Sequence, residues 1–456
     1  MLDKLFALSA RRTNVNTEVM AGITTFMTMA YILFVNPSVL GAAGMDKNAV
    51  LLATAIGAGV VTMAMGLFVN YPIALAPGMG LNAFYAFTVV IGMGVPWPTA
   101  LGAVFISGLV FILLTVTQIR QLLVEGMPMG LKQAITVGIG LFITIIGLKI
   151  SGLMSIRLSL IPETLGKIVA GHGNGTPHYF ETIIEMGKLT NPEVLLAIFG
   201  LIFIAVLMAK RVNGAMLLGI IVTTLLGIPM GVVKVPAGFT PVAIPNFSQN
   251  AFLALDIPGA IHMGLLTIIF TFTFVELFDT MGTLVGTATR AGLTDAKGKF
   301  PGIGRAMMVD AAGVSFGALL GTSTITAYVE SAAGIGAGGK TGLTAIVCGG
   351  LFLLALFFTP LVGLIPDAAT APALIIVGAL MMEAIKNIDF SDFTESLPAF
   401  LTIVLMPFTY SIANGISAGL VMYPLLKLIT GRGREVHWIV YVLAGLVICR
   451  FVFLAE

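Results

Sequence analysis

Three carboxylic acids lie inside strongly apolar stretches of this sequence, where a charged group is costly. Glu276 and Asp279 stand three residues apart, so a helix would present them on one face. Glu330 follows a segment rich in Gly and Thr, and no Lys or Arg lies in the middle of an apolar run to pair with these acids. A charge in the middle of a bilayer costs at least ~2.5 kcal/mol and usually marks a functional site. A carboxylate there that takes up and releases a proton is a means of proton coupling.

Two of the apolar stretches contain residues that interrupt a helix. Pro77, Gly78 and Gly80 break the run 73–93, and the segment 321–326 is a succession of Gly, Thr and Ser around one Ile. We predict that both segments begin extended and become helical midway through the bilayer, where irregular backbone must be buried or line a cavity. The N-termini of the two half-helices would then form a polar pocket. The alternative is that the glycines only permit close helix packing.

Polar and aromatic residues beside these breaks complete the predicted site. Asn82 offers both a hydrogen-bond donor and an acceptor, and Thr326 is predicted to occupy the matching place after the second break. Carboxylates, an amide and aromatic rings without a cation suit a flat, neutral heterocycle that forms hydrogen bonds, and suit an anion poorly. The predicted substrate-binding residues are Glu330, Glu276, Asn82, Thr326, Phe278, Tyr328, Phe84, Gly80, Gly321, Thr322 and Ser323. Asp279 and Glu276 are the predicted proton-coupling residues.

The other titratable residues carry weaker signals. Asp310 begins an apolar run soon after Arg305, which favours a structural or interfacial role. Glu18 and Glu383 lie at the ends of apolar runs, where solvent would surround them. The four histidines show no metal-ligand spacing, and the two cysteines lie in apolar runs as small core residues. We therefore predict no metal site, no cofactor other than the proton and no catalytic residue.

The composition indicates the elements that position these residues. Of the 456 residues, 58% are hydrophobic and only 10% are charged, whereas a soluble domain is nearer half apolar and about a quarter charged. The sequence therefore predicts an integral membrane protein. A net charge of +2 gives no reason to expect a nucleic-acid partner.

Hydropathy predicts an all-α polytopic protein with about 14 transmembrane segments, since about 20 apolar residues cross a bilayer. The windows are 18–38, 48–69, 73–93, 97–117, 131–150, 192–209, 213–232, 260–287, 305–320, 322–337, 341–363, 369–385, 396–412 and 413–430. A further apolar stretch, 436–454, is either another span or an interfacial helix.

Basic residues predict the orientation of the chain in a cell membrane. Lys4, Arg11 and Arg12 precede the first span and place the N-terminus in the cytoplasm. Counting spans from there puts most later short basic loops on the same side. The exception is the connection 151–191, which is long enough for the rule to lose force.

The two halves of the sequence show a weak internal repeat. The stretch from Ala74 aligns with that from Ala318, an offset of 244 residues that also places 97–117 over 341–361 and 131–150 over 375–394. Seven spans per half, an odd number, make the second half inverted in the membrane, a recurring plan of secondary transporters. The predicted repeats are residues 1–240 and 241–435, followed by a C-terminal apolar segment, 436–456.

The motifs around these residues resemble the AzgA-like adenine/guanine/hypoxanthine permeases of the nucleobase–cation symporters. The matching blocks are 24–31, 35–37, 76–84, 277–284, 321–323, 327–334 and 338–345. The resemblance implies a 7+7 inverted-repeat fold, with core spans 18–117 and 260–363 moving against gate spans 131–232 and 369–430 in an elevator-type cycle. It also implies proton symport and a homodimer through the gate spans. Asn82, Glu276 and Glu330 match purine-contacting positions, and Asp279 matches a position tied to transport.

Two other classes of membrane protein fit the sequence less well. An anion transporter or channel of related fold would need cationic groups in the pocket. A membrane-embedded enzyme would need a nucleophile–base pair or a metal constellation, and the sequence offers no such arrangement.

Overall fold

The computed structural model describes residues 2–117, 119, 123, 126–160, 180–247, 251–263, 265–290 and 302–453. Side chains at 4, 156–160, 180–183, 278, 279, 281, 282, 285, 286, 288–290, 450 and 453 are outside this description. The predicted site residues Phe278 and Asp279 therefore lie outside the described side chains.

In the described part of the first half, the chain forms nine helices, a short strand and a hairpin that lies between the fifth and sixth predicted spans. The helices are α1 Leu2–Phe6, α2 Val15–Met29, α3 Ile32–Ala42, α4 Lys47–Ala64, α5 Met79–Ala83, α6 Trp97–Val116, α7 Met129–Ile150, α8 Pro192–Ala209 and α9 Ala215–Gly227. Two π-helical turns, Met65–Val69 and Phe84–Gly92, continue α4 and α5. The strands are β1 Leu75–Pro77, β2 Met154–Leu160 and β3 Phe180–Met186.

Among the described residues of the second half, ten helices and one strand are present. They are α10 Ile257–His262, α11 Leu266–Arg290, α12 Ile303–Leu320, β4 Ile325–Ala327, α13 Ser331–Gly336, α14 Gly342–Leu354, α15 Thr359–Val362, α16 Asp367–Met381, α17 Phe393–Phe408, α18 Ile412–Ile429 and α19 Trp438–Phe453. Short 3₁₀ turns occupy Ala355–Phe358, Met382–Asn387 and Gly433–Glu435.

The helical membrane fold is confirmed. Within the described ranges, 9 helical stretches are long and apolar enough to cross a membrane, and further apolar helices of 10–17 residues accompany them. The number of membrane spans stays a prediction. So does the role of α19, which packs on α18.

Side-chain caps begin several of the long helices at polar residues between apolar runs. Asp46 accepts from the backbone N–H of Ala49 at 2.8 Å at the start of α4, and Asn191 caps α8 in the same way. These caps satisfy donors that a helix leaves unpaired in its first turn. The helix boundaries therefore follow from local sequence.

The two interrupted segments meet in the interior as a pair of antiparallel strands, β1 and β4, which together form the strand crossing. Leu75 lies opposite Ala327, Ala76 opposite Thr326 and Pro77 opposite Ile325, and every residue of both strands is buried. A helix follows each strand closely, as the sequence predicts. Because the strands run in opposite directions, the helices that follow them leave this crossing toward opposite sides.

The strands correct the repeat offset. β1 begins at residue 75 and β4 at residue 325, a difference of 250 rather than 244. The predicted match of Asn82 to Thr326 is therefore wrong: Asn82 lies on α5, whereas Thr326 lies within β4 opposite Ala76. Hydropathy did not detect this shift because it compares the apolar content of the two segments and carries no information on where each strand begins.

The helices pack in two sets around this crossing. In one set α4 contacts α3, α12 and α14, while α6 contacts α11 and α12. In the other, α7 contacts α16, α17 and α18, and α16 contacts α8 and α9. The long connection 151–191 contains the β2–β3 hairpin, which was not predicted from the sequence.

Candidate functional site

Backbone hydrogen bonds close the crossing between β1 and β4. The N–H of Gly78 donates to the carbonyl of Thr324 at 2.9 Å, and the N–H of Tyr328 donates to the carbonyl of Ala74 at 3.0 Å. A Cβ at Gly78 would lie 2.8 Å from Cγ2 of Thr326, so glycine permits the two strands to approach. The hydroxyl of Tyr328 donates to the carbonyl of Pro77 and ties the second break to the first.

Glu330 lies at the N-terminus of the second half-helix, directly before α13. The hydroxyl of Tyr31, at the joint between α2 and α3, donates to its Oε1 at 2.8 Å. Glu330 is half-buried at this position. The structure thus places this predicted residue at the crossing and supplies a neutral donor from a residue 299 positions earlier in the chain.

Glu276 lies on α11 with only 1% of its surface exposed. The Thr280 hydroxyl, one turn along the helix, is 3.4 Å from its Oε1. That hydroxyl also lies 3.0 Å from the hydroxyl of Thr326 and donates to Oδ2 of Asp310 at 2.8 Å. Glu276 therefore belongs to a buried polar network that reaches strand β4.

Asp310 is a member of this network that the sequence analysis missed. Its side chain is fully buried, and its Oδ1 accepts from the N–H of Ala327 at 3.1 Å, so of the two predicted roles the interfacial one is wrong and the structural one fits. Arg305 instead donates to the backbone carbonyl of Phe68. The sequence could have excluded pairing of Asp310 with Arg305, because side chains five residues apart on a helix point about 140° away from each other.

Asn82 lies on α5 and is fully buried. Its Nδ2 donates to Oδ1 of Asn36 at 2.6 Å, and Nδ2 of Asn36 donates to the hydroxyl of Thr322 at 2.9 Å. Asn36, on α3, was not predicted from the sequence as a site residue. This network links the first half-helix to the segment that leads into β4.

Several polar atoms around the crossing are buried without a hydrogen-bond partner among the described residues. They are Oδ1 of Asn82, Oγ of Ser323 and Oγ1 of Thr324. Buried polar atoms are usually paired, so these three are candidates to meet a ligand or water. Ser323 was predicted; Thr324 was not, although it lies in the same run of hydroxyl residues.

The remaining predicted residues have packing roles in this structure. A Cβ at Gly80 would lie 2.5 Å from Ile139 of α7, and Gly321 ends α12 in a left-handed conformation with φ 91°. The ring of Phe84 packs edge-on against Phe272 with centroids 5.1 Å apart. Contact with neighbouring helices therefore accounts for Gly80 and Phe84, and the left-handed backbone at the end of α12 accounts for Gly321.

The prediction of solvated acids holds for Glu383 and is wrong for Glu18. The Glu383 side chain is 71% exposed beside Lys386. Glu18 is fully buried and accepts from the N–H groups of Lys340 and Thr341 and from the hydroxyl of Thr344. This partner loop could not be predicted from the sequence around Glu18, because it comes from the other half of the chain. In the part of the chain that the structure describes, no three metal-ligating side chains come together.

Comparisons with known proteins show one family over most of the chain. The family model described as "Permease family" matches residues 16–157 and 148–418. The adenine permease AdeP of Escherichia coli is 44% identical over 454 residues, covering 100% of this chain and 96% of that protein. The guanine/hypoxanthine permease PbuG of Bacillus subtilis is 43% identical, covering 99% of this chain and all of that protein.

Solved structures show the same fold at low sequence identity. The transmembrane domain of the cyanobacterial bicarbonate transporter BicA superposes with a TM-score of 0.63 at 17% identity, covering 89% of this chain and 97% of that one. The murine anion transporter Slc26a9 also gives 0.63, at 12% identity, covering 91% of this chain and 69% of that one. At these identities the likeness concerns the fold alone.

Proposed function

This chain belongs to the permease family, and from that premise we propose that it imports purine nucleobases across the cell membrane by proton symport. The family confirms the expectation of a transporter rather than an enzyme. The observation that carries the substrate class is the strand crossing itself, with Glu330, Glu276 and Asn82 around it. The relatives named for adenine and for guanine and hypoxanthine match over the full chain, which supports a purine as the substrate.

The base would bind between the two half-helices. The carboxylates of Glu330 and Glu276 would accept hydrogen bonds from ring or exocyclic N–H groups. The hydroxyls of Thr322 and Ser323 and the backbone of the two breaks would contact the opposite edge. Tyr31 supports the assignment of Glu330, because its hydrogen bond holds that carboxylate in one orientation.

Proton coupling would act through the buried network of Glu276, with Asp279 as the second predicted proton site. Thr280 joins Glu276 to Asp310, and Asp310 accepts from the backbone of β4. A proton on this network would alter the hydrogen bonds that hold the second break in place. Transport requires that proton and purine together favour a different facing state from the empty carrier.

Alternating access would move one helix set against the other, as an elevator. The core would comprise spans 18–117 and 260–363, and the gate spans 131–232 and 369–430. An apolar cavity of about 540 Å³ lies where α6 and α11 face α18 and α19, and an apolar boundary has few hydrogen bonds to break during sliding. The proposal includes a cytoplasmic N-terminus and a homodimer through the gate helices. The mass of the purified protein in detergent tests the dimer.

The anion transport named for the two solved neighbours is disfavoured for this chain. Glu276 and Glu330 lie at the crossing, and their negative charge would repel an anion bound between the half-helices. The likeness to those structures extends to the backbone path alone.

The direct test is uptake of labelled hypoxanthine, guanine and adenine into cells that lack their own purine permeases. We expect saturable uptake, and competition by unlabelled bases would rank the purines. Glu330→Gln should abolish it, because the neutral amide presents only one acceptor oxygen and adds an N–H donor. Glu383→Gln is the matched control, since that exposed acid lies away from the crossing. If cells that express the wild-type protein accumulate none of the three bases, the proposed substrate class is refuted.

Proton coupling has its own test. A protonophore should abolish accumulation above equilibrium while leaving binding of the base unchanged. Glu276→Gln should weaken the response of uptake to an imposed pH gradient. Concentrative uptake that ignores the protonophore would reject symport and leave the substrate class intact.

A further inference from the structure

The amide of Asn82 is oriented by a chain of hydrogen bonds that starts at a backbone carbonyl. Val50 on α4 contributes a carbonyl oxygen, which can only accept, and the hydroxyl of Thr54 donates to it at 2.6 Å. The single hydroxyl hydrogen of Thr54 is thereby used. Toward any other neighbour Thr54 can act only as an acceptor.

Asn36 meets Thr54 and must therefore turn its amide nitrogen toward it. Its Nδ2 lies 2.7 Å from Oγ1 of Thr54 and 2.9 Å from Oγ1 of Thr322, so both amide hydrogens have an acceptor. Orientation of an amide group is assigned from such networks. The Oδ1 of Asn36 then points away from Thr54 as an acceptor.

The orientation of the Asn36 amide determines that of Asn82. The Oδ1 of Asn36 accepts from Nδ2 of Asn82 at 2.6 Å, which leaves Oδ1 of Asn82 on the other side of its amide. That oxygen is buried and has no hydrogen-bond partner among the described residues. A buried acceptor without a partner favours a ligand that can donate to it.

We propose that Asn36 is a positioning residue that presents Asn82 to the substrate as a hydrogen-bond acceptor, so that this position recognises an N–H of the purine. The inference rests on the proposed function and deepens it. A free asparagine could donate or accept; the network removes that choice. Purines that carry a methyl group in place of this N–H would be rejected.

The specificity test uses hypoxanthines in which one ring N–H at a time is replaced by N–CH₃. Their inhibition of labelled hypoxanthine uptake is measured for the wild type and for Asn36→Leu, which removes the orienting acceptor. In the wild type at least one analogue should bind roughly 10-fold or more weakly than hypoxanthine, the effect of one lost hydrogen bond and its unpaired partner. In Asn36→Leu, the apparent affinity for hypoxanthine should fall by a similar factor, while the apparent affinity for that analogue should change little. A wild type that accepts every analogue as well as hypoxanthine overturns the proposal.

A double-mutant cycle tests whether Asn36 acts through Asn82. Asn82→Ala should lower the apparent affinity for hypoxanthine. Adding Asn36→Leu should cause no further loss of affinity, because the oriented amide is already absent. Independent losses that add in the double variant would show that Asn36 acts by another route and overturn the proposal. Failure of wild-type uptake of every purine would instead refute the proposed function.

Thr54 supplies a second pair of variants in case Asn36→Leu does not fold. Thr54→Ser keeps the hydroxyl and should retain discrimination between hypoxanthine and the rejected analogue. Thr54→Val removes the hydroxyl and should reduce that discrimination without contacting the base. Thr402→Val, which removes a buried hydroxyl bonded to the carbonyl of Pro398, controls for the loss of a buried polar group elsewhere. Equal discrimination in Thr54→Ser and Thr54→Val contradicts the proposed orientation.

Discussion

At the scale of single residues, the candidate site depends on neutral side chains that orient its charged and amide groups. Glu330 accepts from Tyr31, Glu276 lies beside Thr280, and Asn82 donates to Asn36. Hydrogen bonds stabilise a buried acid without a cation that would compete with a ligand for it. The site thus keeps its carboxylates available to N–H donors.

The hydroxyl of Tyr31 should contribute to substrate affinity. Tyr31→Phe removes one hydrogen bond to a carboxylate, worth about 1.5–3 kcal/mol, and leaves the ring in place. We expect the KM for purine uptake to rise about 10-fold, because Glu330 loses its fixed orientation. Tyr441→Phe is the control, since that hydroxyl donates to the carbonyl of Gly433 near the C-terminus. Unchanged kinetics in Tyr31→Phe would show that Glu330 does not need this donor.

At the scale of elements, two strands of three residues replace helix where the broken segments cross. Helices could not approach there, because their side chains keep the axes about 8–10 Å apart. Paired strands satisfy their backbone groups at closer range and leave two helix N-termini beside the crossing. The glycine that permits this approach is therefore as important as the polar residues.

Gly78→Ala should separate the strands. The new Cβ would lie 2.8 Å from Cγ2 of Thr326, so one strand must shift, at a cost of about 1–3 kcal/mol. We expect uptake to fall at least about 10-fold while the protein still reaches the membrane. Gly350→Ala on α14 is the matched control, because no described atom beyond the neighbouring backbone of its own helix lies within 4 Å of the added Cβ. Equal uptake in the two variants would contradict the importance of this approach.

A charge cluster joins the ends of α17 and α18 to the turn that follows. Arg432 contacts Asp392 at 2.6 Å and Glu435 at 2.8 Å, and the buried Lys427 lies 3.0 Å from Glu435. Hydrogen bonds from Arg432 and Lys427 lower the pKa of Glu435 to about 2. Those from Thr394 and Arg432 hold the pKa of Asp392 well below its usual range.

This cluster should stabilise the folded protein at neutral pH, and we expect acid to remove that stabilisation. Because the folded-state pKa of Glu435 is depressed, its contribution is complete above the usual value of 4.5 and is lost as the pH falls toward about 2. We expect Arg432→Gln to lower the melting temperature of the purified protein at neutral pH. The difference from wild type should shrink as the pH falls through that window. Lys386→Gln, in an exposed ion pair with Glu383, should follow the wild type. A difference that is independent of pH would contradict this account.

At the scale of the whole molecule, the segment before the first span connects the two halves of the chain. Nη1 of Arg11 donates to the carbonyls of Asn70 at 2.8 Å and Lys340 at 2.6 Å, and its guanidinium lies over the ring of Tyr71. Glu18 accepts from the same loop of the second half at Lys340. These contacts hold the loop after the second half-helix against the first half.

Arg11→Gln should destabilise the whole protein. Two carbonyls lose a charge-assisted donor, so we expect a loss of about 2 kcal/mol and a lower melting temperature. Arg12→Gln is the matched control, because this neighbouring arginine is exposed and a surface substitution changes stability by about 0.5 kcal/mol or less. Equal melting temperatures for the two variants would remove the connecting role assigned to Arg11.

The sequence by itself determined the membrane class, the family, the positions of the two breaks and the acids beside them. Each of these depends on local composition: apolar length for a span, Pro and Gly for a break, and the cost of an acid in an apolar run. That is why Glu276 and Glu330 could be identified from single stretches of chain, before any partner was known.

Only the tertiary structure decided which groups meet. Asn36 finds Thr322 across 286 residues, Tyr31 finds Glu330 across 299, and Glu18 finds Lys340 across 322. Hydropathy has no information about such pairs, because it averages over neighbours in sequence and the two segments resemble each other in apolar content. The register of the crossing, the burial of Asp310 and the orientation of Asn82 therefore follow from packing, in which each buried polar group selects its partner.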